Sequence, residues 1–493
     1  MDYTLVNFDI AWSNSWRTST GPSNWDAAWV FVKYRLKNQT TWNHATLNYT
    51  DGTGSGDGHT EPANSNIASS NDNGSDGAYG VFIHRDADML QGSVNYTGVQ
   101  LRWNYGVDGL ADADSVEVSV FAIEMVYVPQ SSFYVGDGTS SNIQAHFENG
   151  TTGAAFQITS EGALTLGGGG AGSLGNNNAS GLPTALDDFN DVDSQTLPAA
   201  FPKGYNAFYC MKYSISQEQY VAFLNTLTRA QQNTRTETSL AAGTTSVTNR
   251  YVMSDEPTMQ HRNGIRCDAT IPTSDPITFY CDFNGNGTPN ESDDGQNIAC
   301  NYLSRKDLAA YLDWAGLRPM TELEYEKACR GALAAVPNEY AWGSASITRA
   351  TGISNPGANN ETASNTGANA TYNSHAPGPL RVGNFGQGVN TRVGVGASYY
   401  GIMEMSGNLW ERIVTVGTPQ GRAFTGASGD GELTASGDTN VANWISSIGI
   451  GRGGSWFDAL SKLRVSDRSK SNPSDPSRNI TFGGRGVRVC PAP

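Results

Sequence analysis

Residues 452–456 read RGGSW, and residues 483–490 read GGRGVRVC. The first block is two glycines, a small residue and an aromatic. The second is another glycine run leading into a last strand that ends at Cys490. Between them lies FDALSKLRVSDRSKSNPSDPS, residues 457–477, which is mixed in character and rich in short polar residues. Arg464 and Arg468 stand four apart inside it and are expected to point inward as scaffold, with Pro473 as a third fixed point. The two glycine blocks make a frame, and the residues inside it decide what the frame is used for.

Working outward, the chain of 493 residues has material for roughly two to four domains and a substantial core. Only 16% of its residues are charged, while it carries 11 Trp and 21 Tyr, so it reads as a loop-rich, ordered protein and not a disordered one. The net charge of −16 argues against nucleic acid and anionic membranes as partners and is compatible with bound divalent cations. No run of 18 apolar residues occurs, so no membrane insertion is expected. The start, MDYTLVNFDIAW, lacks a basic stretch and an apolar core, so no signal peptide is expected in this numbering. The composition nevertheless suits an extracellular, surface-displayed or particle-displayed protein. The six cysteines form no C-x-x-C pair, which disfavours a zinc ribbon, and they are too few for a disulfide scaffold.

The fold class expected is α+β. Residues 1–122 read as a β-sandwich: DAAWVFVKYRL and TGVQLRWNY have strand patterns, and residues 51–78 between them read as loop. The tryptophans of this part, Trp12, Trp16, Trp25, Trp29, Trp42 and Trp103, are expected to pack in cores and turns. SVEVSVFAIEMVYV continues with no linker, so a second domain, 123–493, is expected to be rigidly attached. An insertion is expected around 140–200, and LGGGGAGSLGNNNASG, at 166–181, reads as a surface segment of it. Residues 345–375 and 416–440 read as long loops, of the length that carries function. Three helices are predicted. Ser216 with Gln219 caps the first, and Ser304 caps a second that stops at Gly316. Thr321 with Glu324 caps a third that runs to Gly331.

EMVYVPQSSFYVGDG, FYCMKYSISQEQYVAFLN, AAYLDWAGLRPMTELEYEKACRG, YYGIMEMSGNLWER, RGGSW and GGRGVR occur in this order. Together they resemble the formylglycine-generating enzyme (sulfatase-modifying factor) family over roughly residues 123–493. The resemblance implies a C-type-lectin-like fold with long loops, after the N-terminal β-sandwich. It also implies an oxidase with two copper-binding cysteines shortly after the Gly-Gly-Ser-aromatic block, since thiolates suit Cu(I). Here that block is followed by Phe457, Asp458, Ala459, Leu460, Ser461, Lys462 and Leu463, with no cysteine before Cys490. The six histidines are scattered and show no ligand spacing. The expectation is therefore a chain that is not an enzyme. The resemblance further implies that the first and last strands of the domain pair, which is expected to bring Cys210 and Cys490 within bridging distance.

The same frame resembles the variable proteins of diversity-generating retroelements, whose rewritten stretch lies between the RGGSW-type block and the last strand. This implies a ligand-binding surface in 456–477. Phe457, Asp458, Leu460, Asp467, Ser469 and Ser471 are expected to form one exposed patch away from the N-terminal domain, taking an unknown protein or glycan ligand on a surface. Aromatic and short polar residues in mixture suit adaptable recognition. The alternatives are an oxidase of the family with relocated chemistry, or a structural subunit of a surface filament or particle. Oligomers are compatible with each.

Calcium is the expected cofactor. In DFNGNGTPNESD, Asp282, Asn284, Asn286, Thr288, Asn290 and Asp293 occupy alternating ligand positions of a calcium loop, with Gly287 at its sharp turn. A second site is implied by the resemblance of SGNLWE alone: Ser406, Gly407, Leu409 and Glu411.

Overall fold

A computed structural model describes residues 2–73, 77–138, 143–176, 187–386, 391–471 and 475–491. Strand Asp26–Leu36 organises it. Its sequence is apolar at nearly every position, the pattern of a strand covered on both faces. Ala28, Val30, Val32 and Tyr34 face one way, into a cluster with Leu47, Ile67, Ile83, Val94, Val99 and Leu101. Ala27, Trp29 and Phe31 face the other way, into the largest core cluster, with Met125, Tyr209 and Trp314.

Two sheets carry these residues. The larger runs Arg318–Pro319, Gly486–Val489, Phe208–Met211, Val116–Val128, Asp26–Leu36, Val81–Arg85 and Ser65–Ser69, with Asn43–His44 paired beside Asp26–Leu36. The smaller joins Thr4–Arg17, Met89–Trp103, Leu47–Asn48 and Gly77–Ala78, and its inward side chains cover the outer face of the first. Strand Val116–Val128 is shared: it pairs with Asp26–Leu36 along most of its length and with Phe208–Met211 at its end. Position 122 lies inside that strand. Mostly sheet with few helices, the chain is α+β.

Ser216, Ser304 and Thr321 cap helices Gln217–Leu224, Arg305–Trp314 and Glu322–Arg330, each with a closed capping box. The last two stop at Gly316 and Gly331, both at positive φ. A further helix, Arg229–Arg235, was not anticipated. Its buried residues are Arg229, Gln232 and Arg235, so it has no apolar stripe to reveal it.

Three expectations are corrected. Within 51–78, residues Ser65–Ser69 form a strand against Val81–Arg85; only one of its inward residues, Ile67, is apolar, which hides the alternation. The glycine-rich 166–181 is not simply a surface segment. Leu166 and Leu174 are fully buried on two strands of a small sheet, with glycines at positive φ turning the chain between them. Its residues 177–181 lie outside the described ones. Finally, Phe208–Met211 and Gly486–Val489 do pair, but Cys210 sits opposite Val487, three positions before Cys490. An odd offset turns the thiols to opposite faces of the sheet: Cys210 packs with Phe208 and Val487, and Cys490 against the main core. All six cysteines are free.

Trp29 and Trp103 are buried, and Trp25 stacks on Tyr127 with ring centroids 4.0 Å apart. Among the described residues no helix is long and apolar enough to cross a membrane.

Candidate functional site

Two buried arginines hold the RGGSW segment down. Arg452 pairs with Glu322 at 3.2 Å and Glu326 at 2.6 Å, both on helix Glu322–Arg330. Arg468 pairs with the same Glu322 at 2.7 Å and with Asp187 at 2.9 Å, its guanidinium 4.0 Å from the Phe147 ring centre. Between them Gly453 and Gly454 take φ of 87° and 68°. A Cβ on Gly454 would lie 2.7 Å from Leu463 Cδ1, so the chain passes only as glycine. Trp456 is buried, its indole N–H donating to the Ile480 carbonyl at 3.1 Å.

Beyond Trp456 the chain surfaces. Phe457 is 53% exposed, and Leu460, 39% exposed, opens a single 3-10 turn, Leu460–Leu463, pinned by buried Leu463. Asp458 is half-buried, its carboxylate accepting from Ser455 Oγ. The 345–375 loop lies alongside: Asn373 N–H donates to the Asp458 carbonyl and Ser374 N–H to the Trp456 carbonyl, each at 2.8 Å. Asn373 and Ser374 are themselves exposed, and sequence reasoning did not include them. The flag was the loop's length.

The six expected patch residues do not all share this face. Ser469 is half-buried, and Asp467 and Ser471 are buried. For the Arg468 guanidinium to reach Glu322 its backbone must dip inward, and its neighbours follow. Asp467 accepts from Ser469 N–H at 3.0 Å, and Ser471 Oγ donates to the Arg468 carbonyl at 2.8 Å. Burial raises the Asp467 carboxyl above its ordinary range. Arg468 is scaffold, as expected, whereas Arg464 is only half-buried. Pro473 and Ser474 lie outside the described residues.

No cysteine lies between Trp456 and Cys490. Burial pushes the Cys210 and Cys329 thiols up to about 12 and Cys267 up to about 11, which keeps them protonated at neutral pH.

In the 282–293 loop, Asp282 is buried and ion-paired with Arg266, and it accepts from Gly285 N–H at 2.9 Å and Gly287 N–H at 3.0 Å. Asn284 Oδ1 accepts from Asn286 N–H, and Asn286 Oδ1 from Thr288 N–H. Asn290 bonds across the base of the loop to Cys281. These oxygens serve the loop's own backbone. Asp293 accepts from Asn284 Nδ2 at 3.3 Å and belongs to a carboxylate group with Glu291 and Asp294 that alternation did not single out.

The SGNLWE block abuts the frame. Gly407 N–H donates to the Gly453 carbonyl at 2.8 Å and Ser406 Oγ to the Leu463 carbonyl at 2.7 Å, and Leu409 is buried. Glu411 Oε1 receives Arg485 and Ser214, while its buried Oε2 has no hydrogen-bond partner. One oxygen of Glu411 therefore suits a cation.

The family model described as "Sulfatase-modifying factor enzyme 1-like domain" matches residues 169–489. No curated protein matches the chain.

Proposed function

Because the chain belongs to the family of sulfatase-modifying factor enzyme 1-like domains, we propose that it is a non-catalytic ligand-binding protein. In this reading a C-type-lectin-like frame, continuous with an N-terminal β-sandwich, displays the binding face. One observation carries it. Phe457 and Leu460 are exposed on a segment flanked by buried Arg452 and Arg468, and the interval where the resemblance puts copper-binding cysteines holds none. Phe457 and Leu460 are apolar anchors, and Asp458, Asn373 and Ser374 add short polar groups around them. A protein or glycan on a surface is the ligand class this face fits, and display outside a cell or on a particle belongs to the same reading. If the segment is rewritten between relatives, the positions free to change are 457–461, since 467, 468 and 471 are buried. A calcium ion at Glu411 Oε2, with carbonyls of Ser406, Gly407 and Leu409, would brace the frame from behind.

The test has two arms. The purified chain with copper is offered a Cys-x-Pro-x-Arg peptide, and no aldehyde is expected; copper-dependent turnover overturns the reading. On arrays of glycans and surface proteins, wild-type binding is expected and the Phe457→Ala, Leu460→Ala double variant should lose it. Undiminished binding by that variant removes the face from the proposal.

A further inference from the structure

Glu291, Asp293 and Asp294 each bring a carboxylate oxygen within 4.8 Å of the other two. Among the described residues no lysine, arginine or histidine is ion-paired with any of them. The nearby cation, Arg266, is committed to Asp282. Asn284 Nδ2 donates to Glu291 and Asp293, and Asn286 Nδ2 donates to Glu291, but amides bring no net charge, and three carboxylates this close repel one another unless a positive charge joins them.

A second observation points the same way. Asp294 is fully buried; one of its oxygens accepts from Glu291 N–H at 2.6 Å, and the other, Oδ1, has no hydrogen-bond partner. Buried carboxylate oxygens are rarely left so. Gln296, 8% exposed, repeats the pattern: its amide N–H donates to the Glu291 carbonyl while its Oε1 has no partner. Two buried oxygens at this group thus lack donors, one on Asp294 itself and one on the neighbouring Gln296.

We propose that Glu291, Asp293 and Asp294, with Gln296 Oε1, bind a calcium ion at the end of this loop, and that the Asp282–Arg266 pair is its anchor rather than its ligand set. The donors are all oxygen and mostly anionic, which suits a hard divalent cation. Calcium accepts such an irregular set and completes it with water, whereas magnesium demands near-octahedral order. The ion would also brace the neighbouring loop: Gly295 N–H donates to the Gly357 carbonyl at 2.9 Å, and Asn297 Nδ2 to Asn359 Oδ1 at 2.8 Å. Residues 357 and 359 belong to the 345–375 loop that flanks Phe457.

Calorimetric titration of the metal-free full chain with calcium, and terbium luminescence, test this. Wild type is expected to bind calcium and to melt at a higher temperature with it, since an ion bound only by the folded state stabilises that state. The Glu291→Gln, Asp293→Asn double variant should lose one ion per chain, or bind it about 100-fold more weakly, with an unchanged far-ultraviolet spectrum. Should the double variant misfold, the exposed Asp293→Asn alone is expected to weaken binding about 10-fold. An ion held at Glu411 survives both variants, so the two sites are told apart by stoichiometry. Wild-type stoichiometry and affinity in the folded variants, or no calcium uptake by wild type at about 10 mM, overturns the proposal.

Discussion

Glu404 is almost wholly buried, with Oε1 accepting from Gly383 N–H at 2.9 Å and Oε2 lacking any hydrogen-bond partner. Burial pushes its carboxyl up from 4.5 to about 7, against the opposing pull of Arg485. The folded state therefore keeps this proton while the unfolded chain has released it. That contribution to stability is complete below about pH 4.5 and is lost as pH rises to about 7. Glu404→Gln should abolish this slope. It should match wild type near pH 5 in urea denaturation and exceed it at pH 8 by about 3 kcal/mol. Equal loss of stability in both proteins between these pH values would assign the slope elsewhere. At this scale the sequence is a partial guide. The inward turn of Arg468 was legible as scaffold, whereas the same expectation for Arg464 was not met, since Arg464 is only half-buried. The burial of Asp467 and Ser471 was not legible, since a residue in irregular chain has no period from which to read its direction. The Cys210 and Cys490 expectation failed on strand parity, which needs the register as well as the pairing.

The segment from Arg452 to Ser471 combines rigid and free positions within a few residues. Phe457→Ala and Leu460→Ala remove exposed side chains and should each change unfolding free energy by no more than about 0.5–1 kcal/mol. Trp456→Ala empties a packed site and should cost about 3–5 kcal/mol. Arg468→Ala leaves Glu322 and Asp187 buried without their cation and should cost a similar amount, about 3–5 kcal/mol. Guanidinium-chloride unfolding of the four variants checks the ranking, and a large loss for Phe457→Ala would mean that the turn is core. Element by element, capped helices with an apolar face were readable in advance. Strand Ser65–Ser69 and helix Arg229–Arg235 were not, because they are built from polar side chains that bury by hydrogen bonding instead of by hydrophobic contrast. Arg229, for one, donates to the carbonyls of Leu240, Pro272 and Asp275.

At the scale of the molecule, one strand serves both halves. Val116–Val128 is paired on both sides, and side chains reinforce the junction: Trp29 Nε1 donates to the Ala315 carbonyl at 2.8 Å, and Lys33 Nζ to the Gly431 carbonyl at 2.6 Å. Fragments cut at 122/123 should therefore fail to fold separately, and the whole chain should melt in one calorimetric transition whose van't Hoff and calorimetric enthalpies agree. Two resolved transitions, or a well-folded fragment 1–122, would show independent halves. The α+β class was legible from composition and helix caps. The continuity of the sheet was not, because a doubly buried strand looks the same whichever neighbours cover it.

Strand Gly486–Val489 lies between Phe208–Met211 and Arg318–Pro319, so an inner member of the large sheet is synthesised after residues 457–475. Until it leaves the ribosome, the sheet has a slot with unpaired backbone on both sides. A frameshift or premature stop anywhere in 457–475 removes the piece that fills this slot, leaving an open edge for chaperones and proteases to recognise. In-frame changes leave it intact. Chain order and sheet order together thus give a quality check on the stretch between the two glycine blocks, in which the filling of this slot certifies that the reading frame survived.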